Sequence, residues 1–600
     1  MMTTALRRRT IIALAALVAA AAALFAFASS RSTSPANGAA LKPAQTGAGE
    51  NLYNGKRGGT LKVYSSEDFE HLDPGSSYFV TDYTAIYPTQ ETLFAYAPNN
   101  SSVAQPMLAS GQAKITDGGK TVTVQIKPGV RFSPPVNRVV TTADVKYAIE
   151  RGANPNVGNA YFQPYFGDIV GAAHATGGPI SGIVTPNKTT IVFHLTQATA
   201  DLLVGALSLP LSAPVPKEFA GPLDKEQPTQ YGVSKVVATG PYMFKADPKT
   251  GKFLGIGYNP GKNAILVRNP NWTHKDGPQP AYLNEIDISI GGAGPVIGRQ
   301  VLTGSNSVQE DTPDSSIDEL AYTKYYKQFY AVPGAGTHYM SLNNAKGPFS
   351  NVNVRRAVYA VLNREAMIRA RGGTIVADVG SHFITPGASG FPQAGGLAGP
   401  KVAWNEHPTG DLAVAETYMK KAGYPSGKYT GSAAIKVVDS NNGDDPAIGA
   451  IVKTGLTQLG FKVNLALVDQ SVVYAKYCGV PKAEIDACPS VGWVRDFADP
   501  QTILFVPFYG PAITPTNNSN WGQVNDPGIN KAMEKAAVVV GDAARAKAWA
   551  KIDEMLVDQA VAVPWSFDKQ PNIESADVRG INALWNVGSW DFAYTSLKNP

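Results

Sequence analysis

The stretch that most constrains the fold runs from residue 434 to residue 468. "AAIKVVD" reads as a short strand, and Asp445-Pro446 supplies an N-cap followed by proline at the first helical position. Ile448, Ile451, Val452, Leu456 and Leu459 then recur at helical spacing, and Gly460 ends the run. "FKVNLALV" follows as an alternating strand with Val463, Leu465 and Leu467 inward. Strand, helix and strand at these lengths make a parallel crossover, because parallel neighbours cannot be joined by a tight turn. The chain therefore contains an α/β domain.

Other segments fit the same class. "AKITDGGKTVTVQIKPGV" reads as a hairpin turning at Asp117-Gly118-Gly119, with Val122, Val124 and Ile126 on one face. "TTADVKYAIERG" reads as a helix capped by Thr141 or Thr142, with Val145, Ala148 and Ile149 sharing a face. "KTTIVFHLTQ" is a strand, and an amphipathic helix with Trp549, Ile552, Met555 and Leu556 on one side precedes "VAVPWSF". Six hundred residues exceed what one core holds, so several domains are expected. The 59 glycines and 44 prolines favour strands and turns over a helical bundle.

At the N-terminus, "RRRT" precedes an unbroken apolar run from Ile11 to Ala28. A basic flank, an apolar stretch and small residues at Ala26 and Ala28 fit an export signal cleaved after Ala28. The run is also long enough for retention as a single membrane anchor. Either way the body of the protein is expected outside the cytoplasm. Residues 29–56, rich in Ser, Ala, Gly and Pro, read as a flexible tether. In an oxidising compartment the two cysteines, Cys478 and Cys488, are expected to form a short-loop disulfide. They make a poor zinc site, which needs four ligands. Without Arg7, Arg8 and Arg9 the charge is balanced, which argues against a nucleic-acid partner.

A search for chemistry returns no catalytic constellation. There is no G-x-S-x-G elbow and no H-E-x-x-H helix. "GIGYNPGKN" departs from a phosphate loop in glycine spacing and carries Asn263 where magnesium binding needs Ser or Thr, so a glycine-rich hairpin turn is expected. The seven histidines show no i, i+4 pair and read as surface or satisfied core positions. No metal or cofactor is implied, and the chain reads as a non-enzyme. One stretch does stand out. "VGWVRDFADP", residues 491–500, sets one arginine and two aspartates among aromatic and apolar neighbours. Charges in such company are paired or await a partner.

The order of these segments resembles extracellular solute-binding proteins of family 5, the oligopeptide- and dipeptide-binding subunits of ABC importers. The resemblance rests on "RGGTL", "LDP", "QPMLASGQAKITDGGKTVTVQIKPGVRF", "TTADVKYAIER", "SAPVP", "ATGPYMF", "VRNPNW", "SLNNAKGPFSNVNVRRAVYAVLNREAMI", "AETYMKKAGYP" and "VGWVRDFADP". It implies a periplasmic-binding-protein-like fold: two α/β lobes with a hinge and a ligand cleft, plus a subdomain inserted in lobe one. Carried onto this chain, lobe one comprises residues 57–92, 188–336 and 566–600, the insertion 93–187, and lobe two 337–565.

The resemblance also implies a role for the W-x-x-D pattern, here Trp493-Val494-Arg495-Asp496. Asp496 would meet the α-ammonium of a bound peptide, and Trp493 would wall a side-chain pocket. The alternative is a structural bridge from Asp496 to Arg495 or another arginine. Alternation along a strand would point Arg495 and Asp496 to opposite faces. Asp499, before Pro500, reads as a turn-forming residue. The implied partners are a peptide ligand and the transmembrane permease of an ABC importer. Metal chelate, haem, sugar or an antibiotic-like compound is the alternative cargo, and envelope sensing an alternative role. No cysteine lies near residues 25–35, so lipid anchoring by that route is excluded and only the N-terminal segment would touch a membrane.

Overall fold

The computed structural model describes residue 45 and residues 51–98, 104–273, 277–515, 518–580, 583–584 and 589–600. The expected signal or anchor at 1–28 and residues 29–44 of the tether lie outside the described residues. Among those described, no helix is long and apolar enough to cross a membrane.

Strand Ile435–Ser440 pairs in parallel with Val463–Val468, Ile435 opposite Val463 and Ser440 opposite Val468, with helix Asp445–Gln458 between them. Two details correct the sequence reading. The N-cap is Asp444, one residue earlier than expected, so Pro446 sits at the second helical position. Leu467 is 42% exposed rather than inward. Its strand is the outer edge of the sheet, where the crossover helix covers only part of one face.

That sheet has six strands, in the order 377–379, 562–573, 329–342, 487–494, 435–440 and 463–468. A second six-stranded sheet is built on 307–309, 60–65, 285–290, 263–268 and 242–244, with 258–259 paired beside 263–268. Its inner strands are parallel where 60–65 meets 285–290 and 307–309, and antiparallel beyond. A four-stranded antiparallel sheet, 114–116, 121–125, 190–194 and 183–187, stands beside it.

Local chemistry explains these elements. Thr116 faces Thr121 across a turn whose residues Asp117, Gly118 and Gly119 have φ of 53°, 61° and 89°, the left-handed region that glycine adopts without strain. Helix Thr142–Gly152 opens with a capping box between Thr141 and Asp144. "GIGYNPGKN" is a hairpin, with Asn259 opposite Asn263. Buried Arg151 ties this helix to the rest of the first half, donating to Asp73 at 2.8 Å and to Asp224 at 2.6 Å.

Two long strands, Phe329–Leu342 and Ala562–Ile573, join the halves. At one end Phe329 and Ile573 pack with Ile297, Val301 and Ile317; at the other Met340, Val563 and Trp565 belong to the core under helix Asp445–Gln458. Between these ends the pairing slips, because Gly334, Ala335 and Gly336 bulge opposite Asp568 alone. A Cβ at Gly334 would lie 2.5 Å from the Asp568 carbonyl oxygen, so glycine is required by the approach of the two backbones. Asp568 is held by His338 Nδ1 at 2.8 Å, by the Ser566 hydroxyl at 2.7 Å and by Arg371 at 3.4 Å.

Candidate functional site

Strand Ala487–Val494 ends two residues before Asp496. Its ladder with strand Phe329–Leu342 places Trp493 opposite Thr337 and Val494 opposite Gly336. One further bond, Arg495 N–H to the Ala335 carbonyl at 3.0 Å, ties the chain beyond the strand directly to the bulge. The segment then turns. Asp499 accepts the Gln501 N–H at 2.8 Å, as its turn-forming reading requires, and is also gripped by Arg545 at 2.8 and 2.9 Å. No spacing signal pointed to Arg545, which lies 46 residues away on helix Asp542–Asp558.

Phe497 is fully buried and belongs to the core of the other half. Its ring meets Tyr165 edge-on at 5.0 Å, and a Cβ on Gly205 would lie 2.5 Å from it. The turn is thus wedged between the halves, and it carries Asp496 into the boundary. There the Tyr165 hydroxyl donates to Asp496 Oδ2, and Tyr161 adds a second side-chain hydrogen bond. Both tyrosines flank or belong to a single π-helical turn, Phe162–Phe166, whose wider spacing sets residues 161 and 165 on one side with rings 5.8 Å apart. Tyr83 lies behind, its hydroxyl 2.5 Å from that of Tyr161, and the Tyr78 ring lies tilted against the Tyr161 ring at 5.1 Å.

Burial pushes the Asp496 carboxyl up to about 7, and the two tyrosine hydrogen bonds only partly offset this. Burial first, and then the nearby Asp496 charge, push the Tyr165 hydroxyl well above its ordinary value. The carboxylate is therefore bonded by neutral donors and sits in an aromatic surround. Arg495, beside it, is also buried, and burial lowers its guanidinium to about 10. Strand alternation does not decide its direction relative to Asp496, because the strand ends at Val494.

Trp493 is partly buried on the second half. Its indole N–H donates to the Thr502 carbonyl at 2.7 Å. Its ring lies 6.1 Å from Trp521, which in turn lies 5.1 Å from Tyr474. Tyr474 influences the Tyr78 hydroxyl of the other half electrostatically. Asp496 thus stands at the boundary between the halves, whereas Trp493 packs with Trp521 against the core of the second half. Tyr161, Tyr165, Tyr83 and Phe497 escaped sequence reasoning. The disulfide Cys478–Cys488, with Cα atoms 6.5 Å apart, ties the segment carrying Tyr474 to the start of the strand that carries Trp493.

Comparison with known proteins agrees with this architecture. Residues 103–514 match the family of bacterial extracellular solute-binding proteins, family 5, middle region. Heme-binding protein A of Haemophilus influenzae is 23% identical over 77% of this chain and 79% of its own. Di/tripeptide-binding protein 3 of Pseudomonas aeruginosa is 22% identical over 82% and 86%. Clavulanic acid biosynthesis oligopeptide binding protein 2 shares the fold at a TM-score of 0.78 and 22% identity, covering 90% of this chain and 96% of that one. So does the periplasmic binding protein DppA of Helicobacter pylori in complex with the peptide STSA, at 0.70 and 20% over 90% and 99%. The fold is thus the two-lobed α/β architecture of periplasmic binding proteins, and the chain belongs to the bacterial extracellular solute-binding proteins of family 5.

Proposed function

We propose that this protein captures a peptide between its two halves, outside the cytoplasm, and delivers it to the permease of an ABC importer without chemical turnover. The observation that carries this reading is Asp496: a buried carboxylate, hydrogen-bonded by tyrosine hydroxyls and raised to about 7. A carboxylate so placed gains a charge-assisted hydrogen bond when an ammonium arrives. Two hydroxyls use part of its acceptor capacity, and the peptide's α-ammonium takes the rest. Trp493, with Trp521 and Tyr474, walls a pocket for a side chain, and extended peptide backbone adds hydrogen bonds along the boundary. The bulge at Gly334–Gly336 serves as the hinge, so that opening withdraws Tyr161 and Tyr165 from Asp496. Relatives named for peptide binding support the cargo.

A second reading, the same fold carrying a non-peptide cargo, is favoured by the likeness to Heme-binding protein A. Native mass spectrometry of the protein purified without refolding separates the two. Peptide masses that dissociate on unfolding support capture of peptides. A single non-peptide mass, such as haem, overturns it.

A further inference from the structure

A second part of the boundary buries acidic groups in excess of the cations facing them. Helix Ser315–Lys324 belongs to the half built on the sheet of strand 60–65 and helix Asp445–Gln458 to the other half, and the acidic groups at their N-termini feel one another. Their N-caps are Asp314 and Asp444, and the Ser315 side chain hydrogen-bonds Asp444. Within the first turn of the former helix lies Asp318, only 4% exposed, whose Oδ1 has no hydrogen-bond partner. The charges that face it are Asp314 and Asp444, both acidic. Arg371 and His338 stand near Asp444 and Asp445, but both are engaged by Asp568. The two helix N-termini ease these charges by less than a direct partner supplies. A metal ion does not suit the place, because among the described residues no three His, Cys, Asp or Glu side chains converge on one point.

Electrostatic neighbours relate this cluster to the site of Asp496: the Tyr78 hydroxyl feels both Asp496 and Tyr474, and Tyr474 feels Asp445, beside Asp444. We infer that Asp318, with Asp444 opposite it, forms a second cation subsite of the same boundary, which takes the ammonium or guanidinium of a basic residue in the bound peptide. The inference rests on the peptide reading and narrows it: the preferred cargo carries two positive groups, one at Asp496 and one at Asp318. Opening of the halves separates helix Ser315–Lys324 from helix Asp445–Gln458 and admits the side chain; closure then buries its charge against Asp318.

The test is calorimetry of the purified full-length protein with tripeptides carrying lysine, or its uncharged isostere norleucine, at each position in turn. One lysine register is expected to bind at least about 30-fold tighter than its norleucine counterpart, the effect of a buried charge pair. In Asp318→Asn that ratio falls to near one, and in Asp318→Glu it is largely kept. Equal affinities at every position overturn the inference while leaving peptide capture intact. So does a lysine preference that survives Asp318→Asn. Uptake of one proton on binding norleucine peptides, lost in Asp318→Asn, also overturns it by assigning the charge to a proton. If no tripeptide binds, both readings fall.

Discussion

Replacing Asp496 by asparagine should stabilise the ligand-free protein while impairing its binding. Unfolded, this aspartate ionises near its ordinary value of 3.8; folded, burial holds its proton up to about 7. Between those pH values the folded state binds the extra proton, so stability falls as pH rises from about 4 to about 7 and is level above. At about 1.4 kcal/mol per pH unit, the gap corresponds to about 4 kcal/mol at most. Asparagine keeps the shape and an acceptor for the tyrosine hydroxyls but carries no charge to bury. The assay is urea denaturation of wild type and Asp496→Asn at intervals from pH 4 to 8.5. Other buried acids raised into the same range, Glu310 to about 7 and Asp439 to about 8, are common to both proteins and cancel in the difference. The variant's advantage should be near zero at pH 4, grow through pH 5 and 6, and level off above pH 7. Parallel profiles, or an advantage that shrinks with rising pH, would refute the account of Asp496 as a destabilising, ligand-awaiting charge.

Further outcomes follow from neighbouring contacts. Arg545→Ala strands Asp499 without its bidentate partner and should cost about 3–5 kcal/mol in urea denaturation, whereas Asp499→Asn with Arg545→Met should recover much of that loss. Removing the disulfide with Cys478→Ser and Cys488→Ser frees a loop closed over a separation of 10 residues, and should lower stability by ~3 kcal/mol on chain-entropy grounds, read by the same method. Gly334→Ala forces a Cβ against the Asp568 carbonyl, so small-angle scattering should report a changed balance of open and closed forms. Tyr165→Phe removes a hydroxyl that bridges the halves to Asp496, and the same scattering measurement should show a more open ligand-free protein.

Much of this arrangement was legible in the residues, and what was not has identifiable causes. Periodicity of two and of 3.6 located the crossover at 435–468 because local hydrophobic pattern determines both elements there. It failed at Leu467, since alternation says which residues share a face but not whether anything covers that face. Asp445-Pro446 looked like a cap, yet the N-cap position falls to Asp444 beside it, and only tertiary position decides. The company of Asp496 showed that its charge was unusual, and the W-x-x-D resemblance suggested why. Its actual donors, Tyr161 and Tyr165, lie more than 300 positions earlier in a π-helical turn that no spacing rule announces. Arg545 and Phe497 escaped for the same reason: an ion pair across 46 residues and an aromatic wedge into the opposite core are products of the folded topology.

On the proposed function, Asp496 receives the amino terminus of a peptide. The most direct measurement is calorimetric titration of one tripeptide in two forms, with a free and with an acetylated amino terminus, into wild type and Asp496→Asn. Acetylation should weaken binding to wild type by about 2–5 kcal/mol and change binding to the variant little, because charge and partner are then lost together. Equal binding of both forms by wild type would contradict it.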